Sequence, residues 1–222
     1  MQEEAIRVTE QERLFYGKYL PWLTAGIVEV QENIQAWRQL RWQETGQDPL
    51  LYTTARVKSA DSMRAKLLRL KSLPTAANAL TVVHDAAGVR AVCLFAEEVY
   101  RLAEALGQAQ GTQILQAKDY IAQPKPSGYR SYHLIIKQQV RRPEGQQSVT
   151  VEIQLRTVAM DTWAALEHEI QYKQDVPEQE LICAELKRCA DEIASTELSM
   201  QTIRELIAER RSGRDADIIS GR

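Results

Sequence analysis

Cysteine is scarce in this sequence: Cys93, Cys183 and Cys189 are the three present, and none is spaced as CxxC. An odd count without that spacing argues against a disulfide framework or a zinc site and favours a reducing cytosol. Cys93 sits in an apolar run and reads as a small core residue. Long apolar runs are also missing. No stretch reaches the roughly 18 residues that mark a membrane span, and the acidic start MQEEAIRVTEQER is unlike a signal peptide. The expectation is a soluble, cytoplasmic protein with no membrane partner. Charge of one sign is not in excess either: 28 Lys and Arg against 30 Asp and Glu leave a formal net charge of −2. That balance gives no whole-molecule reason for a nucleic-acid partner, although a local basic site can hide within it. Neither GxxxxGK followed by Ser or Thr nor GxGxxG occurs, so P-loop and Rossmann readings lack support. No kinase catalytic loop or GxSxG elbow is present. Any phosphate bound here must be held by side chains and helix ends.

What is present is an ordinary globular composition over 222 residues, enough for one large domain with attached helices or for two small ones. Leu23, Ile27, Val30, Ile34 and Trp37 recur at helical spacing between Leu20 and Arg41. TTARVKSADSMRAKLLRLK reads as a second helix, with Ser59 as a cap and Met63, Leu67, Leu68 and Leu70 on its buried side. ALTVVHD and GVRAVCLF read as strands separated by DAAG, and Glu97 to Leu106 as a helix. TQILQAKDY predicts a further strand. YRSYHLIIKQQV and SVTVEIQLRT predict an antiparallel hairpin. In its second strand Val149, Val151, Ile153 and Leu155 alternate with Thr150, Glu152, Gln154 and Arg156, so the last three of these point the same way. Helix returns in VAMDTWAALEHEIQYK, breaks at Pro177, and resumes as a stripe of Ile182, Leu186, Cys189, Ile193, Met200, Ile203 and Ile207.

The layout predicts an α+β fold with a mixed sheet flanked by N- and C-terminal helices. Its expected divisions are a helical region at 1–48, a core at 49–175, a C-terminal helical region at 176–211 and a loose tail at 212–222. The terminal helices exceed what a small sheet needs as cover. They pack within the chain or between subunits.

Three clusters carry candidate chemistry. Arg56, Lys58, Lys66 and Arg69 surround the second helix, as an anion site near its N-terminus or as a solvated basic face. In DAAGVR, Asp85 ends one strand and Arg90 begins the next, with Gly88 in the turn. A carboxylate there holds Mg²⁺ or simply shapes the turn. The third cluster is QPKPSGYRSYH with VEIQLRT. Lys125, Tyr129, Arg130 and His133 are expected on one side of a hairpin, and Glu152 and Gln154 on its partner strand. Aromatic rings beside cations suit a nucleotide, the ring stacking on a base and the cations taking phosphates.

These motifs together resemble the RelA/SpoT-type alarmone synthetases, most closely the small, synthetase-only RelQ-like group. The resemblance rests on ARVKSADSMRAK, HDAAGVR, PKPSGYRSYH and VEIQLRTVAMDTWAALEHEIQYK, which occur in family order over about 120 residues. It implies a nucleotidyltransferase-like fold and transfer of pyrophosphate from ATP to the 3′-hydroxyl of GDP or GTP. By the same resemblance, Arg56 and Arg90 clamp adenine, while Lys58, Ser59, Lys66 and Arg69 hold the ATP end. Asp85 and Glu152 would bind Mg²⁺, and Glu152 would also take the proton of the 3′-hydroxyl. Tyr129 would stack on guanine, Lys125 and His133 would contact the acceptor phosphates, and Gln154 would position the ribose or Glu152. The large relatives carry a His-Asp metal motif for hydrolysis. The histidines here are His84, His133 and His168, so a synthetase without hydrolase activity is expected. RelQ-like proteins are typically homotetramers, some stimulated by pppGpp. Arg38, Tyr52, Thr54 and Asp161 fall at positions of that effector site, whereas Gln31 and Gln35 stand where lysines are expected. Alternatives are a different acceptor, such as an adenine nucleotide or the tRNA 3′ end, and a non-catalytic sensor of nucleotides or single-stranded RNA.

Overall fold

The computed structural model describes residues 6–171 and 179–219. In chain order these form α1 (Glu10–Tyr16), a 3₁₀ turn (Gly17–Tyr19), α2 (Leu20–Thr45), β1 (Leu50–Val57), α3 (Ala60–Arg69), α4 (Ala76–Val82), β2 (Ala87–Cys93), α5 (Ala96–Gln108), β3 (Thr112–Asp119), β4 (Tyr132–Arg142), β5 (Gly145–Thr157), α6 (Val158–Gln171) and α7 (Gln179–Ile219). The break expected at Pro177 lies outside the described residues, whereas the tail expected to be loose over 212–222 continues helix α7 as far as Ile219, only its last three residues lying outside them. No helix among the described residues is long and apolar enough to cross a membrane.

The chain divides into two compact units, one of Met1–Gln123 with Ser131–Val158 and one of Pro124–Arg130 with Ala159–Arg222. The first contains a five-stranded mixed sheet of order β1-β2-β5-β4-β3, parallel between β2 and β5 and antiparallel elsewhere. The fold is α+β. Alternation along the strands divides the sheet into two faces. Val89 and Ala91 of β2, Leu134 and Ile136 of β4, and Val151, Ile153 and Leu155 of β5 are buried in the core. The helical stripe of α2 and Val99, Leu102 and Leu106 of α5 belong to the same core. Helix α2 lies close on the sheet because Gly26 carries no side chain; a Cβ there would sit 2.8 Å from Val149 Cγ1. The core therefore occupies one face and leaves the even-numbered positions of β2 and β5 on the other.

Two elements differ from the sequence expectation. TTARV belongs to strand β1, and the second helix starts only at Ala60, after Ser59, whose hydroxyl accepts from Ser62 N at 3.4 Å. The strand forms because it can pair with β2 from Leu50 to Val57, and its β-branched and aromatic residues suit that pairing. ALTVV is helix α4 rather than strand. Thr75 caps it, accepting from Asn78 N at 3.3 Å, and its alanines favour helix where no neighbouring strand is available.

The second unit is built on α6 and α7. Trp163, Ala164, Leu186 and Ala190 form its apolar cluster, with Ile182, Cys189, Ile193 and Tyr129 packed against it. Trp163 Nε1 donates to Leu186 O at 3.0 Å, which satisfies the buried indole. Beyond this cluster, Leu198, Met200, Ile203, Leu206 and Ile207 of α7 are about half exposed or more.

Candidate active site

Strand register places the candidate residues of the first unit in rows across the open face of the sheet. Arg56 of β1 pairs with Gly88 of β2, which pairs with Glu152 of β5. One step along, Thr54 pairs with Arg90, Arg90 with Gln154, Gln154 with His133, and His133 with Lys118 of β3. Arg56, Arg90, Asp85, Glu152 and Gln154 line a cavity of about 260 Å³ together with Thr54 and Gly88. Gly88 does not sit in a turn as expected. It lies within β2, and its missing side chain leaves the floor open between Arg56 and Glu152.

Asp85 also differs from expectation. It precedes β2 from a loop after α4 rather than ending a strand. Its Oδ2 accepts from Lys58 Nζ at 3.0 Å and from Lys66 Nζ at 2.8 Å. Burial works to raise the Asp85 carboxyl, but the hydrogen bonds from Lys66 and Lys58 outweigh it and hold the group below its ordinary value. Lys58 precedes α3, whereas Lys66 and Arg69 occupy its last turn, so the helix dipole adds no positive potential at those two. The basic character there comes from the side chains. Arg69 is exposed at the helix end and is not part of the cavity lining.

Glu152 is held through its neighbours. Gln154 Nε2 donates to Glu152 Oε2 at 3.1 Å. The Gln154 carbonyl oxygen accepts from Arg90 Nη2 at 3.4 Å and from Arg156 Nη2 at 3.3 Å. Two arginines thus orient the amide, which turns its N–H towards the carboxylate. His133 Nδ1 lies 3.9 Å from Glu152 Oε1. The other oxygen of Asp85, Oδ1, is buried without a hydrogen-bond partner among the described residues. One open carboxylate oxygen on Asp85 and a second carboxylate lining the same cavity fit a hard divalent cation that keeps several waters. Among the described residues no group of three or more His, Cys, Asp or Glu side chains converges. These two residues are the ones that could hold such a cation, and water and phosphate oxygens would have to complete its shell.

In the second unit, Tyr129 does not open a strand as expected, since β4 begins at Tyr132. Lys125 and Tyr129 close a tight loop instead. Lys125 N donates to Tyr129 O at 3.1 Å and Gly128 N to Lys125 O at 2.8 Å. Lys125 Nζ sits 4.6 Å from the centre of the Tyr129 ring, and that ring meets Trp163 at 6.5 Å in an edge-to-face arrangement. Arg130 reaches Asp191 of α7 at 3.9 Å. Tyr132, back in the first unit, packs edge-on against Tyr100 at 5.8 Å.

Of the expected effector residues, Thr54 lines the cavity around Asp85 and Glu152, whereas Arg38 borders another on α2, where its guanidinium pairs through two hydrogen bonds with Asp48. Asp161 is buried on α6, and Tyr52 is half-buried on β1. Several supporting residues escaped the sequence reading. Tyr16 of α1 donates to Lys58 O at 2.7 Å, and Glu12 accepts from Ala60 N at 3.2 Å, so α1 braces the segment that carries Lys58 and Ser59. No local pattern announces a contact 42 residues away. Lys118 was visible in principle, since strand alternation puts it on the polar face.

A family model described as "Region found in RelA / SpoT proteins" matches residues 55–177, more than half of the chain. The chain belongs to the RelA/SpoT family. Among RelA/SpoT relatives, it is 44% identical over 148 residues to GTP pyrophosphokinase YwaC of Bacillus subtilis, covering 66% of this chain and 70% of that protein. It is 32% identical to GTP pyrophosphokinase YjbM of the same organism, over 84% of this chain and 87% of that one. A crystal structure of small alarmone synthetase 1 from Bacillus subtilis, bound to its product pppGpp, superposes with a TM-score of 0.76 at 30% identity. It covers 90% of this chain and all of that one. Every RelA/SpoT motif residue in the main cavity lies within the matched segment, apart from Thr54 at its edge.

Proposed function

We propose that this protein is a GTP pyrophosphokinase that makes ppGpp and pppGpp in the stringent response by moving the βγ-pyrophosphoryl group of ATP to the 3′-oxygen of GDP or GTP. The observation that carries this reading is Asp85, with one oxygen held by two lysines and the other buried without a hydrogen-bond partner among the described residues, beside a cavity lined by Arg56, Arg90 and Glu152. That arrangement suits a polyphosphate with a cation and an acid–base group nearby.

Arg56 and Arg90 clamp the adenine through their guanidinium planes. Lys58 and Lys66 neutralise the ATP phosphates, with Ser59 and Arg69 at either end of α3. Asp85 and Glu152 are the residues that would hold Mg²⁺, which would offset the charge on the polyphosphate. Glu152 accepts the 3′-hydroxyl proton as that oxygen bonds to the β-phosphorus. The bond from the β-phosphorus to the bridging oxygen breaks, and AMP leaves with that oxygen. Gln154, oriented by Arg90 and Arg156, keeps Glu152 pointed at the acceptor. Tyr129 receives the guanine, and Lys125 and His133 receive the acceptor phosphates. Positioning and electrostatics supply most of the rate in such transfers. We assign Arg38, tied to Asp48, to the fold rather than to binding of pppGpp.

The test is to incubate the purified protein with Mg²⁺ and γ-labelled ATP, offering GDP, GTP, GMP, ADP and tRNA in turn. Label should appear on GDP or GTP and require the metal. Label on ADP or tRNA alone would move the protein to another acceptor, and label on nothing would leave a binding protein.

We also assign the exposed apolar residues of α7 to a homotetramer interface. Met200, Ile203 and Ile207 recur at helical spacing and stay open to solvent in the single chain. Light scattering should give four times the chain mass, and Ile203→Asp should lower it. A monomer at every concentration returns this stripe to the solvent.

A further inference from the structure

We propose that Lys125 is a displaceable cover on the Tyr129 ring, so that the acceptor site favours a purine that brings phosphates over one that does not. The inference rests on the pyrophosphokinase reading for the identity of the acceptor, and on the loop geometry for the device.

Lys125 and Tyr129 face one another because the loop between them is closed by two backbone hydrogen bonds, Gly128 N to Lys125 O and Lys125 N to Tyr129 O. The loop is also seated. Gly128 has φ of +89°, and a Cβ there would lie 2.5 Å from the Ala190 Cβ on α7. No side chain fits at that approach, and the left-handed conformation favours glycine as well. Pro124 and Pro126 stiffen the flanks. The contact of ammonium and ring is therefore built into the backbone of one short segment.

Its consequence follows from space and from relative strength. Lys125 Nζ stands 4.6 Å from the ring centre. A base stacking on that face at van der Waals separation, about 3.5–4.0 Å, needs the same volume. An exposed contact of cation and ring shifts an equilibrium about two- to fivefold. A charge-assisted hydrogen bond to a phosphate shifts it about tenfold to a hundredfold. Lys125 thus leaves the ring readily for a phosphate, and the freed face takes the base. A nucleoside offers Lys125 nothing in exchange and must displace it unaided. The lysine contributes twice to discrimination, by attracting the nucleotide and by covering the ring against everything else.

The two contributions separate in a binding experiment on the full chain. Calorimetry with guanosine and with GDP compares wild type, Lys125→Ala and Lys125→Gln. Both variants should bind GDP at least about tenfold more weakly. Both should bind guanosine about two- to fivefold more tightly, which a lysine serving phosphates alone does not produce. Guanosine affinity that stays level or falls in both variants overturns the cover. The labelled-ATP assay on wild type keeps the two readings apart. Product on GDP with unchanged guanosine affinity sinks the cover alone, whereas no guanine product and no guanine binding sinks both.

Discussion

Replacing Glu152 by Gln should reduce pyrophosphoryl transfer by about 10²–10⁴-fold, the usual contribution of a general base, and leave ATP binding within a few-fold of wild type. The substitution keeps the size of the side chain and an oxygen able to accept from Gln154 Nε2, so the local network survives. What disappears is the ability to take the 3′-hydroxyl proton and one of the two carboxylates available to a cation. In the proposed reading ATP makes its contacts elsewhere, with Lys58, Lys66 and the two arginines, which gives the expected split. Single-turnover kinetics read the first effect and calorimetry with a non-hydrolysable ATP analogue reads the second. Turnover within tenfold of wild type would remove Glu152 from the proton-transfer role. A collapse in ATP affinity would instead assign it to ground-state binding.

The alternation of Val151, Glu152, Ile153, Gln154 and Leu155 was legible in the sequence because strand periodicity is local, and the sheet places these residues as the pattern requires. Helix α2 was legible for the same reason. Less visible was everything set by partners far along the chain. TTARV looked helical because its basic residues run on into the start of α3, and only pairing with β2 makes it a strand. ALTVV carries β-branched residues, yet the cap at Thr75 and the lack of a strand partner make it helix. Asp85 was singled out as a candidate carboxylate but placed at a strand end, and its two lysines lie 27 and 19 residues away. Tyr129 was read as the first residue of the strand, because composition does not show that pairing starts only at Tyr132. Arg130 finds Asp191 across 61 residues, a contact no spacing rule anticipates.

The second large effect belongs to Asp85. Asp85→Asn should lower turnover by more than about 10³-fold and, unlike Glu152→Gln, should weaken ATP binding about tenfold or more. Hydrogen bonds to charged groups contribute about 1.5–3 kcal/mol each, and this carboxylate makes two of them on one oxygen. An amide keeps a single acceptor oxygen, gives up the charge that balances both ammonium groups, and offers a cation a poorer donor. Lys58 and Lys66 then repel one another where they should converge on phosphate. The pH dependence gives an independent check. The carboxyl is held below its ordinary range because the hydrogen bonds from Lys66 and Lys58 overcome the opposing effect of burial. A group with a lowered folded-state pKa stabilises the fold above its unfolded value, about 3.9, and loses that contribution as pH falls through the folded value. Wild type should therefore be more stable than Asp85→Asn at pH 7, with the gap narrowing as the pH is taken below about 4. Urea unfolding at pH 7 and pH 3 measures it. A gap that stays constant would mean that the ion pairs with Lys58 and Lys66 add nothing to stability, and that Asp85 is kept for the nucleotide alone.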